Sequence, residues 1–118
     1  MNYYLRGRAK LELDEYSNAI TDFDTSIKLD PDDAWVYTDR GVAKAKLGKH
    51  SDAIADFNAA IQINPDDAGA YSNRGIAKAE LRQTWAAKQD LHTALRLATQ
   101  AGDMELKSRI QEVLHLLE

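Results

Sequence analysis

The 118-residue chain contains no cysteine and only two prolines. Without cysteine it can form no disulfide bond and offers no thiol for catalysis or metal binding. It also lacks a run of about 18 apolar residues and a signal-peptide pattern, so it offers no candidate for a membrane span or a secretory leader. We therefore expect a cytoplasmic protein by default, with no membrane partner.

An excess of positive charge is also missing. The chain has 15 basic and 19 acidic residues, and neither half is basic. Nucleic-acid-binding domains usually concentrate lysine and arginine in a patch, so the balance argues against nucleic acid as a partner.

Catalytic and metal-binding patterns are equally absent. His50, His92 and His115 each lack a second histidine or a paired carboxylate at ligand spacing on the same helical face. No serine lies in a Gly-x-Ser-x-Gly context, and no glycine-rich phosphate loop occurs. We expect no metal, no cofactor and no enzymatic activity.

What the chain does contain is an internal repeat. Shifting the sequence so that Tyr3 falls on Tyr37 aligns the chain with itself, and a second shift of the same size does so again, which is typical of repeat arrays. Eight columns are identical in all three copies: Tyr3, Tyr37 and Tyr71; Arg6, Arg40 and Arg74; Gly7, Gly41 and Gly75; Ala9, Ala43 and Ala77; Lys10, Lys44 and Lys78; Leu13, Leu47 and Leu81; Ala19, Ala53 and Ala87; Asp22, Asp56 and Asp90. Each unit of such an array buries its apolar face on its neighbours.

The unit resembles the tetratricopeptide repeat (TPR). It has an aromatic residue followed four positions later by glycine, a later alanine followed four positions on by Phe23 or Phe57, and a closing Pro31 or Pro65. The third copy departs from this pattern, because it has Leu91 in place of phenylalanine and Thr99 in place of proline.

The resemblance implies an all-α, right-handed α-solenoid of three helix-turn-helix units in one domain, residues 1–118. The units are about 1–33, 34–67 and 68–101, followed by a capping helix at about 103–117. We expect seven helices, at about 2–13, 16–29, 33–46, 50–63, 67–81, 84–98 and 103–117. The last begins at the N-cap candidate Asp103, and its apolar residues fall on one face.

Three local features support these boundaries. Each proline disfavours helix at the preceding residue, and the aspartate pairs Asp32–Asp33 and Asp66–Asp67 then supply N-caps. Gly48 suits a left-handed C-terminal cap, whereas Asp14 and Arg82 in the same column predict less ideal turns. The mid-helix glycines indicate close approach to a second helix, with Ala19, Ala53 and Ala87 as the expected small partners.

Arginine and aspartate recur at one fixed spacing, on the two helices of each unit. Arg6, Arg40 and Arg74 stand where the TPR family commonly has leucine, and Asp22, Asp56 and Asp90 follow. In an antiparallel hairpin the two positions lie at similar heights, so we interpret them as three structural ion pairs. A row of arginines that recruits an anionic ligand is the alternative.

The resemblance also implies a concave groove lined by the first helix of each unit. The predicted partner-binding residues are Tyr4, Leu5, Arg8, Trp35, Thr38, Asp39, Val42, Lys46, Ser72, Asn73 and Ile76. Tyr4, Leu5 and Trp35 are not required by the repeat and are of the type enriched at binding hot spots. Alternatively, Met1, Tyr4 and Leu5 merely cover a bare end of the array.

Chaperone-binding TPR domains carry a clamp of lysine, asparagine and arginine for two carboxylates. The corresponding positions here are Tyr4, Arg8, Asp39, Gly69 and Asn73. None matches, and Asp39 would repel a carboxylate, so that specialised function is not expected.

We therefore predict a non-catalytic protein–protein interaction module that binds a partner peptide or helix in its groove. The alternative is a structural segment that self-assembles, with association through its N-terminal end.

Overall fold

The computed structural model describes all 118 residues as seven α-helices without a strand. They are α1 Tyr3–Glu12, α2 Tyr16–Leu29, α3 Ala34–Lys46, α4 His50–Ile63, α5 Ala68–Glu80, α6 Thr84–Ala101 and α7 Met104–Leu116. All but α6 agree with the predicted bounds to within one residue at each end.

Helix α6 is longer than predicted. It ends at Ala101 rather than near residue 98, and Gly102 follows in the left-handed conformation, with φ 74°. The cause is the missing proline. Pro31 and Pro65 stop α2 and α4, whereas Thr99 in the same column can continue a helix.

Aspartate side chains cap three of the helices as predicted. Asp33 accepts a hydrogen bond from the backbone N–H of Trp35 at 3.0 Å, and Asp67 accepts one from Ala70 at 3.1 Å. Asp103 caps α7 in the same way. Each satisfies a donor that the first turn of a helix leaves free.

The three turns inside the hairpins all require a left-handed residue. Gly48 has φ 78°, while Asp14 and Arg82 adopt φ 61° and 64°. A residue with a Cβ atom is strained there, which is why the turns at Asp14 and Arg82 were expected to be less ideal.

The helices pack in chain order. Each contacts the next, and α1, α3, α5 and α7 also contact one another in succession. The result is a rod-like array with extents of 43 × 28 × 24 Å, so the predicted all-α solenoid is confirmed. Helix α7 packs on α5 and α6 as α5 packs on α3 and α4.

Helix α7 covers the apolar face of the last hairpin. Ile110 and Leu114 are buried against Leu91, Ala94 and Ala98 of α6 in the largest core cluster. This packing supplies the cover that a terminal repeat needs.

The closest partner of Gly7 and of Gly41 is a phenylalanine ring and not the predicted alanine. A Cβ atom on Gly7 would lie 2.6 Å from Cε1 of Phe23, and one on Gly41 would lie 2.6 Å from Cε1 of Phe57. In the third hairpin, where leucine replaces the ring, a Cβ atom on Gly75 would lie 3.0 Å from Cγ of Leu91 and 3.1 Å from the backbone oxygen of Ala87, so the predicted alanine is a close neighbour there.

Each hairpin is joined by the predicted ion pair. Arg40 donates from Nε and Nη2 to the two carboxylate oxygens of Asp56, at 3.0 and 2.7 Å, and Lys44 adds a contact at 3.1 Å. Arg40 also stacks over the Tyr37 ring, 5.6 Å from its centroid. The same arrangement recurs at Arg6 and at Arg74, so an arginine, a lysine and a tyrosine surround one buried aspartate in every hairpin.

Two of the arginines also connect neighbouring hairpins. Nη1 of Arg40 donates to Asp24 of α2 at 2.9 Å, and Nη1 of Arg74 donates to Asn58 of α4 at 2.9 Å. We call this series of linked contacts the Arg–Asp ladder. Because its acceptors belong to the chain itself, the structural interpretation of the arginine row explains it without an anionic ligand.

The ladder lowers the pKa of two of its aspartates, Asp22 and Asp90. The hydrogen bond from Arg6 lowers the pKa of Asp22 to about 2, with help from Lys10 and against the opposing effect of burial. Burial raises the pKa of Asp90, but the hydrogen bonds from Arg74 and Lys78 outweigh it, so that the net shift is downward. Both carboxylates therefore stabilise the fold in their charged form.

The Gly–Phe contact can be tested by whether a glycine-to-alanine substitution raises or lowers the free energy of unfolding. Replacing a mid-helix glycine with alanine stabilises an isolated helix by about 1 kcal/mol. Gly41→Ala should instead lower the free energy of unfolding by about 1–3 kcal/mol, because the new methyl group meets a rigid ring. Urea titration measures this. In the control Gly69→Ala, the new atom meets only the Asp67 carboxylate, at 3.3 Å, so we expect a smaller loss of stability than at Gly41. Stabilisation by Gly41→Ala would contradict the contact.

The Arg–Asp ladder also predicts that the protein loses stability in acid. A carboxylate whose pKa is about 2 when folded and 3.8 when unfolded stabilises the fold fully above the higher value. That contribution disappears as the pH falls through the lower value. The free energy of unfolding should therefore fall more steeply below pH 3.8 in the wild type than in Asp22→Asn, measured by urea titration at each pH. The exposed variant Asp32→Asn should keep the wild-type slope, and an equally steep Asp22→Asn would contradict the assignment.

Candidate functional site

The first helices form one wall of the array, and a depression of about 430 Å³ lies between α3 and α5. Its apolar part consists of Val42, Ala45, Phe57, Ile76 and Ala77. Lys46, Glu80, His50 and Asn73 complete the lining. The site therefore combines an apolar floor with charges of both signs at its margin.

A second depression of about 420 Å³ continues the groove between α5 and α7. It shares Asn73 and Ile76 with the first and adds Leu106, Arg109, Glu112 and Val113 of α7. We call the two together the α5 groove. Four of the predicted partner-binding residues border its first part, namely Val42, Lys46, Asn73 and Ile76, and Ser72 borders its second part.

The contribution of α7 to the groove was not predicted, because this helix was treated only as a cap. The signal was present in the sequence. If the repeat is continued into α7, Leu106 aligns with Tyr4 and Val113 aligns with Leu11. Both residues of α7 border the second depression.

The N-terminal part of the predicted groove is occupied by contacts within the chain. The Tyr4 hydroxyl donates to Oδ2 of Asp39 at 2.8 Å, and its ring packs on Phe23 with the centroids 6.1 Å apart. Arg8 lies over the Tyr4 ring, with its Nε 3.8 Å from the same carboxylate oxygen. Tyr4 is therefore half-buried and joins α1 to α3.

Burial changes the protonation equilibria of this cluster. It raises the pKa of Asp39, against the opposing effect of the hydrogen bond from Tyr4 and the charge of Arg8. Burial also raises the pKa of Tyr4, and the hydrogen bond to Asp39 raises it further. The phenol thus remains a hydrogen-bond donor at neutral pH.

The remaining predicted residues do not form one patch. Leu5 and Trp35 are 59% and 67% exposed, and Trp35 borders a depression near the start of α5, whereas Tyr4 borders another at the N-terminal end. Thr38 and Ser72 are buried, which leaves them little surface for a ligand. The Thr38 hydroxyl has no hydrogen-bond partner in the chain, and nothing in the structure explains this.

Neither a metal site nor a membrane span is found in the chain. No group of three or more histidine, aspartate or glutamate residues is arranged to hold a metal ion. Every helix is too short or too polar to cross a membrane.

Comparison with known proteins identifies the family. The sequence model described as TPR repeat matches residues 7–48 and 43–81, which is more than half of the chain. The chain belongs to the TPR family. No curated protein matches the chain.

Solved TPR structures share this fold. The TPR2B domain of yeast Sti1, in a complex with pHsp70, superposes with a TM-score of 0.93 at 26% identity, covering 98% of this chain and 92% of that one. The second TPR domain of human RPAP3, in complex with the HSP70 peptide SGPTIEEVD, gives a TM-score of 0.80 at 28% identity, covering 93% and 92%. The Yersinia enterocolitica chaperone SycD, at 16% identity and a TM-score of 0.92, covers 98% and 80% and shows the fold alone.

Proposed function

We propose that this TPR protein is a non-catalytic interaction module whose α5 groove binds a peptide segment of a partner protein. The observation that carries the proposal is that two depressions of about 430 and 420 Å³ adjoin at Asn73 and Ile76, one between α3 and α5 and the other between α5 and α7. The complexes of Sti1 and RPAP3 with chaperones or their peptides support the same class of function.

The lining indicates what kind of segment fits. Val42 and Ile76 offer apolar surface in the first depression, and Val113 does so in the second. Lys46 and Glu80 border the first, while Arg109 and Glu112 border the second. Burial of apolar side chains supplies most of the affinity, whereas charges of both signs set register and orientation. We therefore expect a peptide with apolar anchors and mixed charge.

A peptide that ends in carboxylates, such as the one bound to RPAP3, does not suit this groove. The positions of the two-carboxylate clamp hold Tyr4, Arg8, Asp39, Gly69 and Asn73. Arg8 already lies near the Asp39 carboxylate, and Asp39 at a clamp position would repel a carboxylate ligand. We therefore expect a partner that differs in chemistry from the HSP70 peptide bound to RPAP3.

Trp35 and Leu5 are proposed as further contacts at the ends of such a peptide. Both are well exposed, and tryptophan is among the residues that most often dominate binding energy. The depression beside Trp35 adjoins the α5 groove through Gly69 and Leu106, whereas Leu5 borders no depression, so Leu5 is the more peripheral of the two.

The proposal is tested with peptides selected from a random displayed library against the full chain. Ile76→Glu should weaken their binding by at least about tenfold, because it places a charge on the apolar floor shared by both depressions. Fluorescence anisotropy with labelled peptides measures the affinity. Ile63→Glu is the matched control, since Ile63 is 40% exposed against 38% for Ile76 but borders no depression.

The peptide SGPTIEEVD serves as the negative probe in the same assay. Failure to select any peptide that binds saturably, or equal binding by the Ile76→Glu and Ile63→Glu proteins, would contradict the groove. Tight binding of SGPTIEEVD would overturn the inferred ligand chemistry.

A further inference from the structure

Trp35 borders a third depression, of about 340 Å³, whose chemistry differs from that of the α5 groove. We call it the Trp35 depression. It lies where α5 and α7 begin, and it shares Gly69 and Leu106 with the second part of the groove, so one peptide can reach both. Trp35 is 67% exposed although it borders this space, which leaves its indole ring open to a ligand.

The repeat shows why there is room beside this ring. Trp35, Gly69 and Asp103 occupy the same position of three successive units, and all three border the Trp35 depression. The helices α3, α5 and α7 thus place an indole ring, a bare backbone and a carboxylate at equivalent points. A Cβ atom added to Gly69 would find only one neighbour within 4 Å, Oδ1 of Asp67 at 3.3 Å. The space between the ring and the Asp103 carboxylate is therefore open.

Negative charge alone lines the Trp35 depression. Asp66, Asp67 and Asp103 border it, and no lysine, arginine or histidine does. None of the three carboxylates forms an ion pair within the chain. Both parts of the α5 groove, by contrast, have charges of each sign.

The helix ends at this site offset only part of the negative charge. The N-terminus of a helix carries about half a positive charge, so α5 and α7 together supply about one, which leaves a net charge of about −2. Asp67 and Asp103 cap these two ends, whereas the Asp66 carboxylate accepts no hydrogen bond from the chain. The charge extends along α3, because burial raises the pKa of Asp39 and the charges of Asp33 and Asp67 raise it further.

We propose that the peptide bound in the α5 groove carries an arginine or lysine whose cationic group lies in the Trp35 depression, between the indole ring and the carboxylates. This rests on the proposed function, since it names one residue of the same peptide. The exposed ring and the carboxylates are independent features, and both favour the same ligand. A cation over the face of tryptophan is attracted by the ring, and carboxylates beside it accept charge-assisted hydrogen bonds.

The first experiment asks whether the depression binds a cation in the absence of a peptide. The probe is N-acetyl-arginine amide, added to the isotope-labelled full chain at up to about 50 mM and constant ionic strength. The NMR signal of the Trp35 indole N–H should shift at least about threefold more than that of Trp85. Trp85 is the matched control, because it is 74% exposed but borders no depression. The neutral compound N-acetyl-glutamine amide should shift both signals alike.

Single aspartate exchanges separate the depression from the charge of the whole chain. Asp66→Asn removes one carboxylate from the depression, and Asp52→Asn removes one from the first turn of α4, away from every depression. Asp66→Asn should reduce the Trp35 shift at least about twofold, whereas Asp52→Asn should leave it unchanged. Circular dichroism melting of both variants checks that they fold.

The second experiment uses the peptides that bind the α5 groove of the full chain. Exchange of their basic residue for glutamine should weaken binding to the wild type at least about threefold. The same exchange should have little effect on binding to Trp35→Ala, because the ring that the cation contacts is already gone. Trp85→Ala should respond as the wild type does.

Three results would overturn the inference. The first is an equal shift of the Trp35 and Trp85 signals by the arginine compound. The second is an equal response of the Asp66→Asn and Asp52→Asn proteins. The third is a set of peptides that Ile76→Glu weakens but that lack a basic residue or bind Trp35→Ala unchanged, in which case the proposed function stands and this inference alone fails. If no peptide binds the chain, the proposed function fails and this inference fails with it.

Discussion

A buried carboxylate between the two helices of each hairpin is the constraint on which the rest of the structure depends. Asp56 is 4% exposed and receives hydrogen bonds or ionic contacts from Arg40 and Lys44. An isolated charge at this depth would destabilise the folded state. Three donors from the other helix compensate the charge, and they fix how the two helices pair, so we call this contact the buried joint. Since Arg40 also donates to Asp24, the same arginine links one hairpin to the next.

Much of the fold was predictable from the sequence because the same interactions recur in each of the three repeats. The repeat period identified the hairpins, and the constant Arg–Asp spacing predicted the ion pairs that the structure contains. Capping by Asp33 and Asp67 follows from local chemistry and was equally predictable. In each case one interaction repeats at a fixed distance along the sequence.

Features that depend on packing between units were missed. The acceptors Asp24 and Asn58 fall in a column that is not identical, so no repeat signal marked them. The close partner of Gly41 is the ring of Phe57, which follows it at the same spacing as Asp56 follows Arg40 but was not recognised as its partner. The α7 wall of the groove was missed because most of its sequence does not follow the repeat. The residues of the candidate site remain predictions, since the fold sets their positions and not their affinity.

The most direct test of the buried joint is a double-mutant cycle between Arg40 and Asp56. The free energy of unfolding is measured by urea titration for the wild type, Arg40→Ala, Asp56→Ala and the double variant. We expect a coupling energy of about 1–3 kcal/mol, because each single variant leaves a partner unpaired and the double variant removes both. Effects that add to within about 0.5 kcal/mol would contradict the joint, because they would show that the pair contributes no more to stability than an exposed ion pair does.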